Sequence, residues 1–210
     1  AAEGCRVVGV DGAAALIKDL KRLGLLDDTI IVFTSDHGDA LGDHGHSQKW
    51  NMYQSTVRVP ALVAGPGIPA GRRVTDNVSL FDFGPTILDW AGVQVPGWKE
   101  ASSLIPYFGK EPAPGRNRVF AEHSNDALLS GTRMMTMVLE GRMKLVHFVD
   151  ADEGMLFDLD ADPREQVNLW DAPEHRATRD RLIHEILLWR SDSALKSQGF
   201  IEACVRGAQS

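Results

Sequence analysis

Residues 33–50 read FTSDHGDALGDHGHSQKW, placing three Asp, three His and one Lys within eighteen positions. Asp36 and His37 set a carboxylate beside an imidazole, and such a pair can bind a divalent cation. Carboxylate oxygen suits calcium or magnesium, whereas imidazole leans toward transition metals. Lys49 adds a compact positive charge able to grip an anionic oxygen. Each residue also has a plainer role. An Asp-His pair commonly orders a polar loop, and a lysine is commonly solvated. Two ligands do not make a metal site.

The elements around this stretch argue for chemistry at the end of a strand. Residues 29–34, TIIVFT, are β-branched and apolar on both faces, which fits a parallel sheet covered by helices. In open α/β sheets, ligands bind beyond the carboxyl ends of strands. Residues 13–23 carry Ala13, Leu16, Ile17, Leu20 and Leu23 at helical spacing, and Gly24 suits the stop. A second apolar run, PALVAG, covers 60–65, and the Pro/Gly-punctuated 66–71 is a loop. Residues 82–91 predict a helix with Asp82 as cap, Pro85 in the first turn and Gly92 as stop.

Composition changes at KEPAPGRNR, residues 110–118, read here as a boundary. Beyond it lie VFAEHS and two strand-like runs joined by Glu140-Gly141, a hairpin signal. MLFDLDADP supplies another short strand, and Pro173 to about Trp189 is helical. The tail SQGFIEACVRGAQS has little periodicity. The expected organisation is an α/β portion over 1–112 and a small α+β unit over 113–210, an antiparallel sheet with one covering helix.

The 210 residues carry a formal net charge of −7, which argues against nucleic acid as a partner but leaves room for a local cationic pocket. The two cysteines, Cys5 and Cys204, form neither a disulfide framework nor a zinc pattern. No apolar run reaches the roughly 18 residues that a spanning helix needs. The opening AAEGCRVVGV has no initiating Met and no signal-peptide pattern, as though it lay within a longer sequence.

Residues 27–74 resemble a block of the type I sulfatases in the alkaline phosphatase superfamily. That block has an apolar strand, then SDHG or SDNG, a Gly-Asp/Glu-His-Gly element, a Lys, a Tyr or Phe, and Arg-x-Pro. Here these are Ser35–Gly38, Gly42–Gly45, Lys49, Tyr53 and Arg58-Val59-Pro60. VSLFDFGPTILDWAGV resembles the family's Asp-x-x-Pro-Thr helix, and MLFDLDADPREQVNLW its closing LYDLxxDPxExxNL signature. The resemblance runs from about residue 8 to about residue 190. It implies an alkaline-phosphatase-like sulfatase fold, of which this chain is the C-terminal part.

The resemblance also implies a mechanism. Family sulfatases cleave a sulfate ester with a formylglycine made within C/S-x-P/A-S-R, aided by calcium. A fixed cation and nearby donors stabilise charge on the sulfuryl and leaving oxygens. Carried over, Asp36 and His37 are metal ligands. Many members have Asn at the His37 position, so His37 can instead hydrogen-bond around metal and nucleophile as a catalytic group. Lys49 touches the sulfate and the leaving oxygen. His44 and His46 line the substrate pocket or sit in a solvated loop, and Arg58 braces the fold. His123 and Asn125 are pocket candidates on a surface loop.

The chain departs from the family in lacking C/S-x-P/A-S-R; Cys5 lies in GCRVVG, without the Pro-Ser-Arg context. Asp27-Asp28 precede a strand and do not match the family's Asp pair, which ends one. The expectation is therefore part of a sulfatase, inactive when isolated and with an incomplete calcium site. Its partner is a small-molecule or sugar sulfate ester, together with the missing N-terminal part or a second copy. The alternatives are a phosphonate or phosphate ester hydrolase of the same superfamily, and an inert fragment that binds a partner.

Overall fold

The computed structural model describes residues 10–96, 100–109, 115–124 and 131–207. Cys5, Asn125 and residues 110–114 of the expected boundary lie outside them. Chain contacts define two compact units, one formed by the chain up to Ser35 with Pro60–Arg72, the other by Asp36–Val59 with everything from Arg73 onward.

The first unit begins with helix α1, Val10–Arg22. Gly24, at φ +69°, turns the chain out of it, as a helix-ending glycine should. After a 3-10 turn at Leu26–Asp28 come strands β1, Ile31–Thr34, and β2, Ala61–Ala64. They pair antiparallel, Ile31 opposite Ala64 and Thr34 opposite Ala61. This corrects the expected parallel sheet. Apolar residues on both faces say nothing about strand direction. Nor is either strand buried, and Phe33 and Leu62 are exposed.

In the second unit, a 3-10 turn at Leu80–Asp82 runs into α3, Phe83–Trp90. Asp82 occupies the expected N-cap position of α3 but makes no side-chain cap bond to it. Ser79 caps the 3-10 turn, and Asp82 reaches back to the Ser79 N–H at 2.7 Å, completing a capping box there. The fully buried Asp82 carboxylate also accepts from the Ser102 N–H at 3.1 Å and from Arg116 Nη1 at 2.6 Å. One-turn helices α2, Gln54–Val57, and α4, Ile105–Phe108, complete this part.

Strands β3 (Arg118–Ser124), β4 (Met134–Glu140), β5 (Met143–Phe148) and β6 (Gly154–Asp158) form an antiparallel meander in that order. Glu140 pairs with Met143, so Gly141-Arg142 makes the β4–β5 turn, one residue later than predicted. Gly141 sits at φ +56° in the first turn position, where the backbone requires a positive φ. Period-two alternation gives the sheet two apolar faces. Val138, Leu145 and Leu156 face Leu182, Ile186 and Trp170. Met135, Met137 and Val146 face Met52 and Val57 of the preceding loop.

Helix α5, Arg176–Gly207, supplies Leu182 and Ile186 and continues well beyond the expected end near Trp189. Among the described residues of its later turns, the apolar Leu195 and Ile201 are exposed. Helix propensity and pairs such as Lys196–Asp192, 2.6 Å apart, suit that stretch instead. Among the described residues no helix is long and apolar enough to cross a membrane.

The two faces of α5 give a direct stability comparison. Leu182 is 0% exposed and Leu187 is 59% exposed. Leu182→Ala is expected to cost about 2–5 kcal/mol in urea unfolding, and Leu187→Ala less than about 0.5 kcal/mol. Equal losses at both positions would contradict the packing of α5 on the sheet.

Candidate active site

The chain leaves β1 at Thr34, and Asp36 follows two residues later. Asp36 Oδ1 accepts from the His37 N–H at 3.0 Å, and Oδ2 lies 3.4 Å from His37 Nε2. The carboxyl is held below the ordinary carboxylate value. Desolvation, the largest single influence, pushes it up, but the electrostatic influence of His37, the N–H groups of His37 and of Asp36 itself, and Lys49 together outweigh it.

His37 is fixed from both ends of its ring. Nδ1 lies 2.6 Å from the Gly38 carbonyl oxygen, and Nε2 lies 2.9 Å from Lys49 Nζ. A carbonyl only accepts, so Nδ1 carries a hydrogen, and Nε2 turns its lone pair toward the ammonium. Lys49 also stands 5.7 Å from the centroid of the Trp50 indole, a cation–π distance. Lys49, twelve residues beyond His37, thus joins the adjacent Asp36 and His37 in one cluster.

Glycine is required at position 38 for want of room. A Cβ there would lie 1.9 Å from the Ser55 carbonyl oxygen. The close approach lets the Gly38 N–H donate to the Thr56 carbonyl at 2.7 Å, seating the Asp36-His37 corner on α2. Between the corner and Lys49 the loop closes on itself. Ala40 N–H donates to Gln48 O at 2.9 Å, and Gly42 N–H to His46 O at 2.9 Å.

His44 and His46 gather around Tyr53. The His44 ring stacks on it with centroids 3.8 Å apart and planes parallel; His46 is tilted at 5.8 Å. Arg58 is exposed at the end of α2. His123, on β3, has its ring 5.4 Å from that of Trp50. Asn51 Nδ2, Ser55 Oγ and Thr56 Oγ1 are buried without a hydrogen-bond partner among the described residues.

Two residues with no recognisable chemical signal hold this loop from below. Lys144, on β5, is fully buried and paired with Glu165 at 2.6 Å. Burial pulls the Lys144 pKa down, and the Glu165 charge pushes back. The other Glu165 oxygen accepts from the Gln54 N–H at 2.6 Å. Burial, followed by the Glu165 charge, pushes the nearby Tyr53 phenol up. A Glu in a Pro-containing polar loop looks solvent-exposed in sequence, and a Lys in a strand looks outward-facing. The only signal was for Glu165, in the DPxExxNL signature, whose spacing marks the position without assigning it work; Lys144 had none.

The sulfatase family model matches residues 11–93. An N-acetylglucosamine-6-O-sulfatase of Bacteroides thetaiotaomicron is 35% identical over 183 residues, covering 84% of this chain and 33% of the relative. A choline-sulfatase of Rhizobium meliloti is 40% identical over 162 residues, covering 75% of this chain and 30% of the relative. Among solved structures, a phosphonate monoester hydrolase of Silicibacter pomeroyi superposes with a TM-score of 0.76 at 30% identity, covering 87% of this chain and 38% of that one. The chain thus spans about a third of the length of the curated relatives it matches.

The seat of the corner is open to a steric test. Gly38→Ala must push the Ser55–Thr56 backbone away and break the Gly38–Thr56 hydrogen bond, at an expected cost of about 1–3 kcal/mol in urea unfolding. Gly199 lies within α5 with no atom within 4 Å of its ideal Cβ, so Gly199→Ala should be neutral or stabilising by up to about 1 kcal/mol. A neutral Gly38→Ala would show that the corner is not seated on α2.

Proposed function

We propose, from the premise that this chain belongs to the sulfatase family, that it forms part of a hydrolase of sulfate esters carried by a small molecule or sugar. The observation that carries this reading is the Asp36–His37–Lys49 cluster, which sets a carboxylate, an imidazole lone pair and an ammonium within hydrogen-bonding or ion-pair reach. The reading includes the alkaline-phosphatase-like fold shared with the structural relative. It also includes a division into a catalytic portion, 1–112, and an antiparallel subdomain, 113–210.

In this reading Asp36 and His37 hold part of a calcium site. Their chemistry fits, since a carboxylate held below its ordinary pKa is a hard anionic donor and His37 Nε2 offers a lone pair. They are only part of it, because among the described residues no three His, Cys, Asp or Glu side chains gather to hold a metal. Bound calcium would supply positive charge beside the sulfate oxygens. The remaining ligands and the formylglycine segment would come from sequence outside residues 1–210, so the isolated chain is expected to be inactive.

Lys49 meets the sulfate and the leaving oxygen, where negative charge grows as the S–O bond breaks. The His37 Nε2 lone pair accepts from Lys49 and so holds the ammonium in place for the anion. His44 and His46, around Tyr53, border the pocket in which the rest of the ester lies. A second reading is favoured by the phosphonate monoester hydrolase relative. The same cluster would serve a phosphonate or phosphate ester, and parallel assays on sulfate, phosphonate and phosphate esters decide between these substrates.

Asp36→Ala in the complete enzyme is expected to lose calcium affinity and turnover together. Calcium bound as tightly as in the parent, measured by titration calorimetry, would remove Asp36 from the metal site. Lys49→Met is expected to lower turnover by roughly a hundredfold or more, with the largest losses for aryl sulfates with poor leaving groups. A small and uniform drop across a graded leaving-group series would show that Lys49 is a solvated loop residue.

A further inference from the structure

We infer that Glu165 is a positioning residue: its carboxylate, charge-balanced by buried Lys144, caps α2 and through it sets His37 against Lys49. The inference rests on the reading of that corner as catalytic. Glu165 is only 3% exposed and lies at φ +56°, a conformation that L residues rarely adopt. The turn that imposes it is bonded internally: Glu165 N–H donates to Asp162 O at 3.1 Å, and Val167 N–H to Asp162 Oδ2 at 2.8 Å. The unusual backbone aims the side chain inward, where its two oxygens take separate tasks.

Oε1 receives Lys144 Nζ, and Oε2 receives the Gln54 N–H, each at 2.6 Å. Gln54 is the first residue of α2, and its N-cap, Tyr53, contributes no side-chain cap. A carboxylate 111 positions further along the chain therefore does the work usually left to a local Ser or Asp. The next contacts lead directly into the site. Thr56 O holds Gly38 N–H at 2.7 Å, Gly38 O lies 2.6 Å from His37 Nδ1, and His37 Nε2 lies 2.9 Å from Lys49 Nζ. From Glu165 to Lys49 the run is unbroken, and each link fixes the direction of the next.

Lys144 makes this arrangement separable from fold stability. A buried ion pair replaced by apolar side chains of similar volume is often neutral or stabilising. Lys144→Met combined with Glu165→Met should therefore keep the sheet packed while removing the acceptor for Gln54. Lys144→Met combined with Glu165→Gln restores a neutral acceptor at the same place.

The experiment is amide hydrogen exchange on the parent chain and both double variants, with kinetics of the same variants in the complete enzyme. In the Met–Met variant the thermal midpoint should be unchanged or raised. Its Gly38 amide should exchange at least about tenfold faster than in the parent, while those of Val138 and Leu145 exchange as before. In the complete enzyme, kcat on a sulfate ester should fall by about tenfold or more with KM within about threefold. The Gln variant should recover Gly38 protection and kcat to within about threefold. Unchanged Gly38 exchange, a uniform loss across β4 and β5, a Met–Met variant that does not fold, or no recovery with Gln would each overturn the inference. Absence of sulfate ester turnover in the parent would sink the catalytic reading; the exchange rates would still decide whether Glu165 sets the corner.

Discussion

A lysine ammonium with no exposed surface must be paired where it lies, because its bare desolvation costs several kcal/mol. Lys144 meets that condition through Glu165, and the rest of the second unit follows from where the pair sits. Lys144 occupies the face of β5 that also presents Val146, beside Phe157 of β6 across the strand pair. Pairing it there draws the turn after β6 inward. The second Glu165 oxygen then needs a donor and finds it in α2. The ion pair is weak evidence for stability in itself. What it supplies is direction, since a charge-assisted bond to Gln54 N–H is met in one register of the loop and in no neighbouring one.

This constraint shows why a loop so poor in apolar residues can be ordered. Only Met52 and Val57 pack from it onto the methionine-rich sheet face, with Tyr53 reaching Phe157 at a ring distance of 6.0 Å. Their burial contributes roughly a few kcal/mol in total. The opposite face, where Leu182, Ile186 and Trp170 cover Val138, Leu145 and Leu156, is an ordinary apolar core. One face of the sheet thus carries the fold. The other spends part of its area on polar contacts that orient the site.

The apolar face was legible in the sequence and the polar face was not. Alternation in RMMTMVLEGRMKLVHFV predicted β4 and β5 because each second residue is driven toward one core. The turn slipped by one residue because Glu140-Gly141 and Gly141-Arg142 both end a strand plausibly, and the Glu140–Met143 pairing decides between them. The antiparallel pairing of β1 and β2 was not legible, since hydrophobicity reports what a strand touches and not its neighbour's direction. The long α5 exceeded its apolar periodicity because exposed turns need only propensity and end signals. At the candidate site, Asp36, His37 and Lys49 were singled out by the sulfatase-like spacing of SDHG and the following Lys, since an Asp-His pair or a lysine in a loop is by itself unremarkable. The work of Glu165 and Lys144 was not legible, because charged residues at such positions face water in most proteins and only tertiary pairing turns them inward.

The backbone between the corner and Lys49 completes the physical account. Leu41, His44 and Gln48 all have φ between +49° and +64°, in the left-handed region. Each such non-glycine residue costs about 1–2 kcal/mol. A segment carrying three of them would not hold this path alone. The return is geometric: tight reversals at 41–45 and at 48 bring Gln48 O to Ala40 N–H, so that Lys49 arrives beside a histidine twelve residues earlier. His44 is held within one reversal by stacking on Tyr53, and Tyr53 is held by α2, which Glu165 caps. Strain in the upper loop and charge beneath it are therefore parts of one arrangement. The first points Lys49 at His37, and the second keeps the surface on which His37 rests from moving away.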